Sequence, residues 1–280
     1  MRLKFMLALL VSMSVCPTTF ADETYTLHEN LHVGQKVVFA VTSHYNVKST
    51  ATTHGVPVET NTDAGHSWKI TLETLAVTDG SSTRAEAVVD PDSVDTTKEN
   101  GLEEKKTPCP FAGKKIILKR LPDETLSNDF QGNASSDDVS VLNSFITPDA
   151  IFYPDKPVAV GDVWDNSAKM AKDAMLGPKD QIKSVCRLDW VKVIDGKKMA
   201  QISNSQAIIY YEDGNVEEDV ESSTTSLVDL AAQMIVRCDQ KGSSKYKTPA
   251  TEPTQVVGGT EFLFHAEMLA NAATDTTTKP

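Results

Sequence analysis

Five residues near the start of the chain form a motif that binds zinc in metallopeptidases. His28-Glu29-Asn30-Leu31-His32 spells H-E-x-x-H. On a helix, two histidines four residues apart share one face and bind the metal, while the glutamate acts as a general base. His28, Glu29 and His32 are therefore candidate zinc ligands and base, on the condition that this segment is helical.

The residues that follow the motif disfavour a helix. Gly34 would end a helix there, and an alternating strand pattern begins at Lys36. The longer metalloprotease motif requires a glycine and a third histidine at the positions that Gln35 and Val38 occupy. The sequence thus predicts no metal site and no cofactor, and a zinc metallopeptidase is the least favoured of the functions considered.

The motif follows a predicted export signal. Arg2 and Lys4 precede an apolar run over residues 5–15, and Thr19-Phe20-Ala21 then offers the small residues that a signal peptidase recognises. Residues 1–21 are therefore predicted to be a signal peptide cleaved near Ala21. The mature protein would be exported to the periplasm or beyond, with little chain before the zinc motif to stabilise a helix.

The charge of the chain limits its partners. The formal net charge is −12, and removal of residues 1–21 takes away two positive charges and no negative ones. A protein this acidic is repelled by nucleic acid and by anionic membranes. No later segment has the ~18 consecutive apolar residues of a membrane helix. We expect a soluble protein with no nucleic-acid partner and no membrane span, with a lipid anchor at Cys16 as the alternative.

Three cysteines remain after cleavage: Cys109, Cys186 and Cys238. Cys186 and Cys238 lie in strand-like runs, in phase with apolar neighbours, and an oxidising compartment permits a bridge between them. They are the disulfide candidates, and three buried free thiols are the alternative. Cys109 could act as a nucleophile, but nothing in the sequence places a base beside it.

Other residues with possible chemistry show no recognised spacing. Asp90, Asp92 and Asp95 form an acidic cluster that lacks the spacing and the glycine of a calcium loop. His54 and His66 flank a polar stretch, and we expect both side chains to face solvent.

Alternation of apolar and polar residues dominates the mature chain and predicts antiparallel strands. Residues 36–48 alternate strictly, and residues 261–268 do so again as a closing strand. Asp79-Gly80, between two alternating runs, predicts a type I′ hairpin turn. The polar residues 49–65 predict a loop or a frayed hairpin end.

Two short helices are predicted between the strands. Val139, Leu142 and Phe145 have helical spacing, and Ser135 or Ser136 can cap the helix that they indicate over residues 138–146. A second helix is predicted over residues 166–176.

Two segments resemble each other and predict an internal repeat. Residues 71–80 and 187–196 both end in Asp-Gly, and the apolar residues of each slip by one position at a similar place. Such a slip indicates a β-bulge. A Val-Gly turn precedes each segment, at Val33-Gly34 and at Val160-Gly161. We infer two degenerate repeats of one antiparallel unit.

The fold class that follows is mainly β: an antiparallel curved sheet, in the form of a half-barrel or open barrel built from two degenerate β repeats, with one or two short helices. The predicted organisation is a signal peptide at 1–21, a first β repeat at 22–120, a connecting loop with a short helix at 121–157, a second β repeat at 158–270, and a disordered tail at 271–280.

The most distinctive motif opens the second repeat. Residues 154–164 read Pro-Asp-Lys-Pro-Val-Ala-Val-Gly-Asp-Val-Trp. This stretch resembles the Pro-x-Lys-Pro-Val-x-Val-Gly-Asp-x-Trp signature of a family of exported bacterial proteins of unknown function, over about residues 27–270. The resemblance implies a strongly curved antiparallel β fold and carries over no catalytic residues. The signature residues have structural explanations: extended chain, tight turn and buried ring. They are Pro154, Pro157, Gly161, Asp162 and Trp164.

A curved sheet of this kind can enclose an apolar cavity. By analogy of fold, we expect a non-catalytic protein that binds a lipid-like or other hydrophobic molecule. A protein-interaction module at the cell surface or in the periplasm is the alternative.

Overall fold

The computed structural model describes residues 23–122, 126–145, 152–173, 176, 179–212, 215–248 and 254–272. In these residues the protein is mainly antiparallel β with two short helices, and its large sheet does not close into a barrel. The predicted fold class is therefore confirmed. The predicted signal peptide lies outside the described residues.

Most of the chain belongs to long strands, and each helix has fewer than three turns. The elements are β1 (Thr24–Tyr25), β2 (Lys36–Thr53), β3 (Val56–Thr78), β4 (Ser81–Val89), β5 (Val94–Glu99), β6 (Lys105–Pro108), β7 (Lys115–Arg120), β8 (Leu126–Asn128), α1 (Ser136–Ser144), β9 (Val158–Ala159), β10 (Val163–Asp165), α2 (Ser167–Asp173), β11 (Gln181–Ile194), β12 (Lys197–Glu212), β13 (Asn215–Asp229), β14 (Met234–Lys247) and β15 (Thr254–Ala272).

The strands form one large sheet and one small one. The large sheet has the order β10-β11-β12-β13-β14-β15-β2-β3-β4-β7-β8, and β5 pairs with both β3 and β6. β1 and β9 form a separate two-stranded sheet. All pairings are antiparallel, as the alternating pattern predicts. β2, β3, β4 and β7 lie in the first repeat and β10 to β15 in the second, so the pairing of β15 with β2 joins the two halves of the large sheet.

Both predicted bulges are present. The register of β3 against β4 shifts between Thr74 and Ala76. The register of β11 against β12 shifts between Leu188 and Trp190. The slip in the phase of the apolar residues therefore marks an extra residue in each strand, which confirms the interpretation of the sequence pattern.

Each Val-Gly turn is hydrogen-bonded to the bulge of its own repeat. The Gly34 N–H donates to the Thr74 carbonyl at 2.8 Å, and the Thr74 N–H donates back to Gln35 at 2.9 Å. In the second repeat the Gly161 N–H donates to the Leu188 carbonyl at 2.7 Å, and the Leu188 N–H donates to Asp162 at 3.1 Å. Thr74 thus corresponds to Leu188 in the second repeat. Alignment of the two Asp-Gly turns would instead match Thr74 with the residue two positions after Leu188.

Three hairpins share one type of turn. The two central residues both have positive φ, which is the conformation of a type I′ turn and favours glycine at the second position. The φ values are 52° and 78° at His54-Gly55, 51° and 84° at Asp79-Gly80, and 49° and 77° at Asp195-Gly196.

Residues 49–65, expected to be a loop or a frayed hairpin end, form the paired end of the β2–β3 hairpin. β2 and β3 continue through this stretch and meet at the tight turn of His54 and Gly55. Most of the stretch is polar and lacks regular apolar alternation, but the backbone hydrogen bonds of the ladder still form.

Other element limits differ in smaller ways. The short strand β8 lies in the segment that was expected to be a connecting loop. β15 continues to Ala272, two residues into the expected disordered tail. The predicted helices are present: α1 begins at Ser136, two residues before the expected start, and α2 is described over Ser167–Asp173.

The apolar residues form two clusters on the same face of the large sheet. The first lies on β2, β3, β4 and β7 and is covered by α1 and by Phe111. The second lies on β11, β12 and β13 and is covered by Leu27, Tyr153 and Val158. We call this the core face. It carries Val41, Trp68 and Ile70 in the first repeat, and Cys186, Leu188 and Ile202 in the second.

The segment of residues 27–35 connects the two clusters. Leu27 is buried in the second cluster, whereas Leu31 packs against the first. The Asn30 N–H donates to the Gln233 carbonyl at 3.1 Å, and the Leu31 N–H donates to the Gly80 carbonyl at 2.8 Å. This extended segment therefore binds both halves of the sheet at once.

Gly80 and Gly196 offer a matched test of that contact. Both have positive φ, so alanine at either position costs about 1 kcal/mol in the turn. A Cβ atom at Gly80 would lie 2.5 Å from the Glu29 carbonyl oxygen, whereas nothing lies within 4 Å of one at Gly196. We expect Gly80→Ala to lower the free energy of unfolding by about 1 kcal/mol more than Gly196→Ala. Denaturant unfolding measures both, and equal losses would contradict the docking of residues 27–35.

Candidate functional site

The H-E-x-x-H motif lies in irregular, extended chain rather than in a helix. Its side chains alternate: His28 and His32 are exposed, while Glu29 between them is buried. The helical face that would bring both histidines to one metal ion is therefore absent. The physical reason is the attachment of residues 27–35 to both halves of the sheet by backbone hydrogen bonds, which a helix could not make.

The disulfide predicted between Cys186 and Cys238 is not formed, and Cys109 is also a free thiol. Cys186 lies on β11 opposite Asn204 of β12, and Cys238 lies on β14 opposite Ser226 of β13. Three strand spacings of about 4.8 Å separate the two cysteines by about 14 Å. A disulfide requires Cα atoms within about 7 Å, so the prediction is wrong. Both cysteines face the core side of the sheet. This is why each of them lies in phase with the apolar residues of its own strand.

The two buried thiols are held protonated. Burial, with a smaller contribution from the charges of Asp95 and Asp138, raises the pKa of Cys109 to about 12. Burial also raises the pKa of Cys186 to about 11, although the Nδ2 groups of Asn204 and Asn166 donate to its Sγ at 3.2 and 3.4 Å. Neither thiol is a reactive nucleophile at neutral pH.

Alkylation of the mature protein tests these statements. We expect N-ethylmaleimide at about pH 8 to modify the half-buried Cys238 first, and to modify Cys109 and Cys186 at least about a hundredfold more slowly. Unfolding in guanidinium without a reductant should expose all three thiols, as measured by mass spectrometry of the peptides. Recovery of a Cys186–Cys238 peptide pair would contradict the fold.

A cluster of three titratable side chains lies at the edge of the first apolar cluster. His66 Nδ1 is 2.9 Å from Asp95 Oδ1 and 3.7 Å from Asp138 Oδ1. The three residues come from β3, β5 and α1, and their possible ligand atoms all lie within 4.8 Å of one another. Their side chains are only 12%, 18% and 9% exposed, in that order. We call these three residues the His66 cluster.

Neighbouring groups fix the orientation of both carboxylates. The Trp68 indole donates to Asp95 Oδ1 at 2.7 Å. At the start of α1, the N–H and the Oγ of Ser135 bind Asp138 Oδ2 at 2.9 and 2.7 Å, and the Asp138 N–H donates to Ser135 Oγ at 3.0 Å. This capping box leaves Asp138 Oδ1 directed at His66. The predicted cap at Ser135 is thus confirmed, and it also orients a carboxylate.

Aromatic rings surround the histidine. The Tyr45 ring approaches the His66 ring edge-on at 5.8 Å, and the Trp68 ring lies 4.8 Å away on the same strand as His66. Phe111 packs edge-on against Trp68 at 5.7 Å. The cluster therefore lies in an environment with restricted access to water, where charges interact more strongly than at the surface.

The sequence analysis placed His66 in solvent, and this prediction is wrong. His66 shares its side of β3 with Trp68, Ile70 and Leu72, because side chains alternate along a strand. The even-numbered phase of these residues already indicated the core face. The spacing of Asp95 from Asp90 and Asp92 gives no indication that it faces His66. The position of Asp138 beside both depends on how α1 packs on the sheet, which no local pattern shows.

The opposite face of the central strands carries a groove. Two concavities of about 690 and 540 Å³ adjoin each other there and share four residues, namely His44, Ser223, Lys241 and Leu263. A third, of about 650 Å³, follows at Lys48 and Thr50 on the same side of β2. We call this face the groove face.

Its side chains are of mixed character. Leu263 is 55% exposed in the groove, beside the backbone of Phe264. The Arg237 and His265 side chains bind Asp239 at 2.8 and 2.6 Å. Partial burial would raise the pKa of Asp239, but these two hydrogen bonds outweigh it and lower that pKa. Among the described residues, no acidic group pairs with Lys241 within ion-pair distance.

The signature residues form a compact turn at the edge of the large sheet. Gly161 has a φ of 95°, and Asp162 Oδ2 accepts a hydrogen bond from the Ala159 N–H at 2.8 Å. The half-buried Trp164 donates its indole N–H to the Phe152 carbonyl at 3.1 Å and packs on the second apolar cluster. Pro154 and Pro157 lie in irregular chain that leads to this turn. Each of these interactions is structural.

No protein-family model and no curated protein matches the chain. Among solved structures, it is similar to an outer membrane channel of Pseudomonas putida F1, with 11% identity over 86% of this chain and 97% of that one and a TM-score of 0.30. A DUF1329 family protein of Desulfovibrio piger has 8% identity over 84% and 86%, with a TM-score of 0.19. Neisserial surface protein A has 8% identity over 82% and 96%, with a TM-score of 0.18. These low TM-scores support no conclusion about function.

Neither helix of the described chain has the length and the apolar character that a membrane-crossing helix needs.

Proposed function

We propose that this is an exported, non-catalytic binding protein that holds an amphiphilic molecule in the groove of its central strands. The expected ligand is partly hydrophobic, and its proposed binding site is the groove. The resemblance of residues 154–164 to a family of exported bacterial proteins is part of the same proposal.

The observation that carries it is the continuity of the groove. Each of its first two concavities lies within the size range of pockets that hold small molecules, about 300–1,000 Å³. The core face, which would otherwise receive a hydrophobic ligand, is covered by residues of the chain itself in both repeats. The groove face is therefore the better place for a ligand.

The chemistry of the lining indicates the class of ligand. Leu263 and the aliphatic stem of Lys241 offer apolar area to a hydrocarbon or ring. The ammonium group of Lys241 and the hydroxyl groups of Ser223 and Ser243 offer polar contacts beside it. An apolar body with an anionic or hydroxylated head fits this arrangement.

The alternative of a protein-interaction module has one observation in its favour. Val56 and Val58, next to the turn of the long β2–β3 hairpin, are 63% and 60% exposed. Exposed apolar residues at a strand end can bind a partner protein. The surface around Val56 and Val58 does not indicate which protein that would be. The groove therefore remains the better supported site.

Binding of the fluorescent amphiphile 1-anilinonaphthalene-8-sulfonate tests the proposal. We expect saturable micromolar binding to the mature protein, because the probe has an apolar ring system and one negative charge. Leu263→Ser and Lys241→Gln should each weaken binding about fivefold, which corresponds to about 1 kcal/mol of lost contact.

The matched control is Leu269→Ser. Leu269 lies on the same strand and is 54% exposed, close to the 55% of Leu263, but it does not line the groove. Its replacement should leave the affinity unchanged. Equal losses for Leu263 and Leu269, or no saturable binding, would refute the groove as the site, and native mass spectrometry would identify any molecule that co-purifies.

A further inference from the structure

We propose that His66, Asp95 and Asp138 bind a divalent transition-metal ion, with Zn²⁺ the best fit. The site is independent of the groove and of the H-E-x-x-H motif. It is assembled by residues from two strands and a helix that are far apart in the sequence.

The first argument is the charge of the His66 cluster. Two carboxylates point at a single imidazole nitrogen in a place with little exposure to water. That nitrogen carries at most one proton, and a protonated imidazole would still leave one negative charge uncompensated. Among the described residues, no lysine or arginine pairs with Asp95 or Asp138. A divalent cation would balance the carboxylates.

The second argument is the distance between the ligand atoms. Two metal–ligand bonds of about 2.0 Å in a tetrahedral zinc site place their ligand atoms roughly 3.3 Å apart. The distances from His66 Nδ1 to Asp95 and to Asp138 are 2.9 and 3.7 Å, on either side of that value. Small side-chain rotations would therefore form the site without moving the backbone.

The third argument is the support behind each ligand. Metal ligands in proteins are held in place by hydrogen bonds from a surrounding shell of residues. Trp68 holds Asp95, and Ser135 holds Asp138 through two bonds to the oxygen that faces away from the histidine. Asp138 Oδ1 is thus directed at the place where an ion would bind, and Asp95 Oδ1, which faces the same place, also accepts the hydrogen bond from the Trp68 indole.

A fourth observation comes from Ser43. It is the cross-strand partner of His66 on β2 and lies on the core face with it. Its Oγ is buried and has no hydrogen-bond partner among the described residues. A buried hydroxyl without a partner costs free energy unless something binds it. A water molecule on the metal ion would provide that partner and complete four-fold coordination.

The ligand types select the metal. Calcium and magnesium are usually bound by oxygen atoms alone, whereas imidazole together with carboxylates suits zinc and, with lower affinity, manganese. Cys109 is not among the residues of the described chain whose possible ligand atoms lie within 4.8 Å of one another at this site.

Zinc titration of the EDTA-treated mature protein by calorimetry is the test. We expect one zinc ion per chain with micromolar or tighter affinity, and a rise in the melting temperature when zinc is added. Asp95→Asn and Asp138→Asn should each weaken binding at least about tenfold, while keeping the size of the side chain and the hydrogen bonds to Trp68 and Ser135.

Two matched controls separate this site from other candidates. Asp92→Asn removes an exposed carboxylate three residues from Asp95, and the double variant His28→Ala/His32→Ala removes the N-terminal motif. Both should bind zinc as the unchanged protein does. Loss of zinc in the double variant, or wild-type affinity in Asp95→Asn, would overturn the proposal.

A measurement on the unchanged protein guards against variants that fail to fold. Long-range ¹H–¹⁵N correlation spectra resolve the ring nitrogens of the six histidines. Zinc should shift the Nδ1 resonance of His66 and leave those of His28 and His32 in place. No shift of His66 at saturating zinc would refute the site, even if zinc binds elsewhere. Failure of the groove experiment would not affect this result.

Discussion

The architecture depends on two reciprocal pairs of backbone hydrogen bonds, one in each repeat. Each pair attaches a Val-Gly turn to a bulged strand, at Thr74 in the first repeat and at Leu188 in the second. A bulge leaves backbone groups without a partner in the regular ladder, and the turn supplies that partner. Through the first turn, residues 27–35 are held extended across both halves of the sheet. The H-E-x-x-H motif lies within this segment, so the same bonds that join the halves remove the helix that a zinc peptidase would need.

The two faces of the sheet carry different sets of side chains because side chains alternate along every strand. The core face buries two apolar clusters under α1, the signature turn and the N-terminal segment. The groove face of the central strands stays open and polar around Leu263 and Lys241. The His66 cluster belongs to the core face. It lies at the edge of the first apolar cluster, beside aromatic rings. The proposed ligand groove and the proposed metal site are therefore on opposite faces and can be tested independently.

Much of the fold was predictable from local pattern, and most of the candidate sites were not. Alternation located β2 and β15, Asp-Gly located two hairpin turns, and the phase slips located both bulges. Errors arose where one local pattern has two explanations. Polar residues 49–65 suit a loop as well as a mostly polar hairpin, and a shared phase put Cys186 and Cys238 on one face without showing that two strands separate them.

The sequence by itself determined most of the strands, both bulges and the cap at Ser135, because these follow from near neighbours and from the period of the pattern. The tertiary structure alone decided that residues 27–35 are extended, that no disulfide joins Cys186 and Cys238, and that His66, Asp95 and Asp138 meet. The reason is physical: these outcomes depend on contacts between residues tens of positions apart. The position of such contacts is set by how strands order in the sheet and how α1 packs upon it, and no window of sequence contains that information.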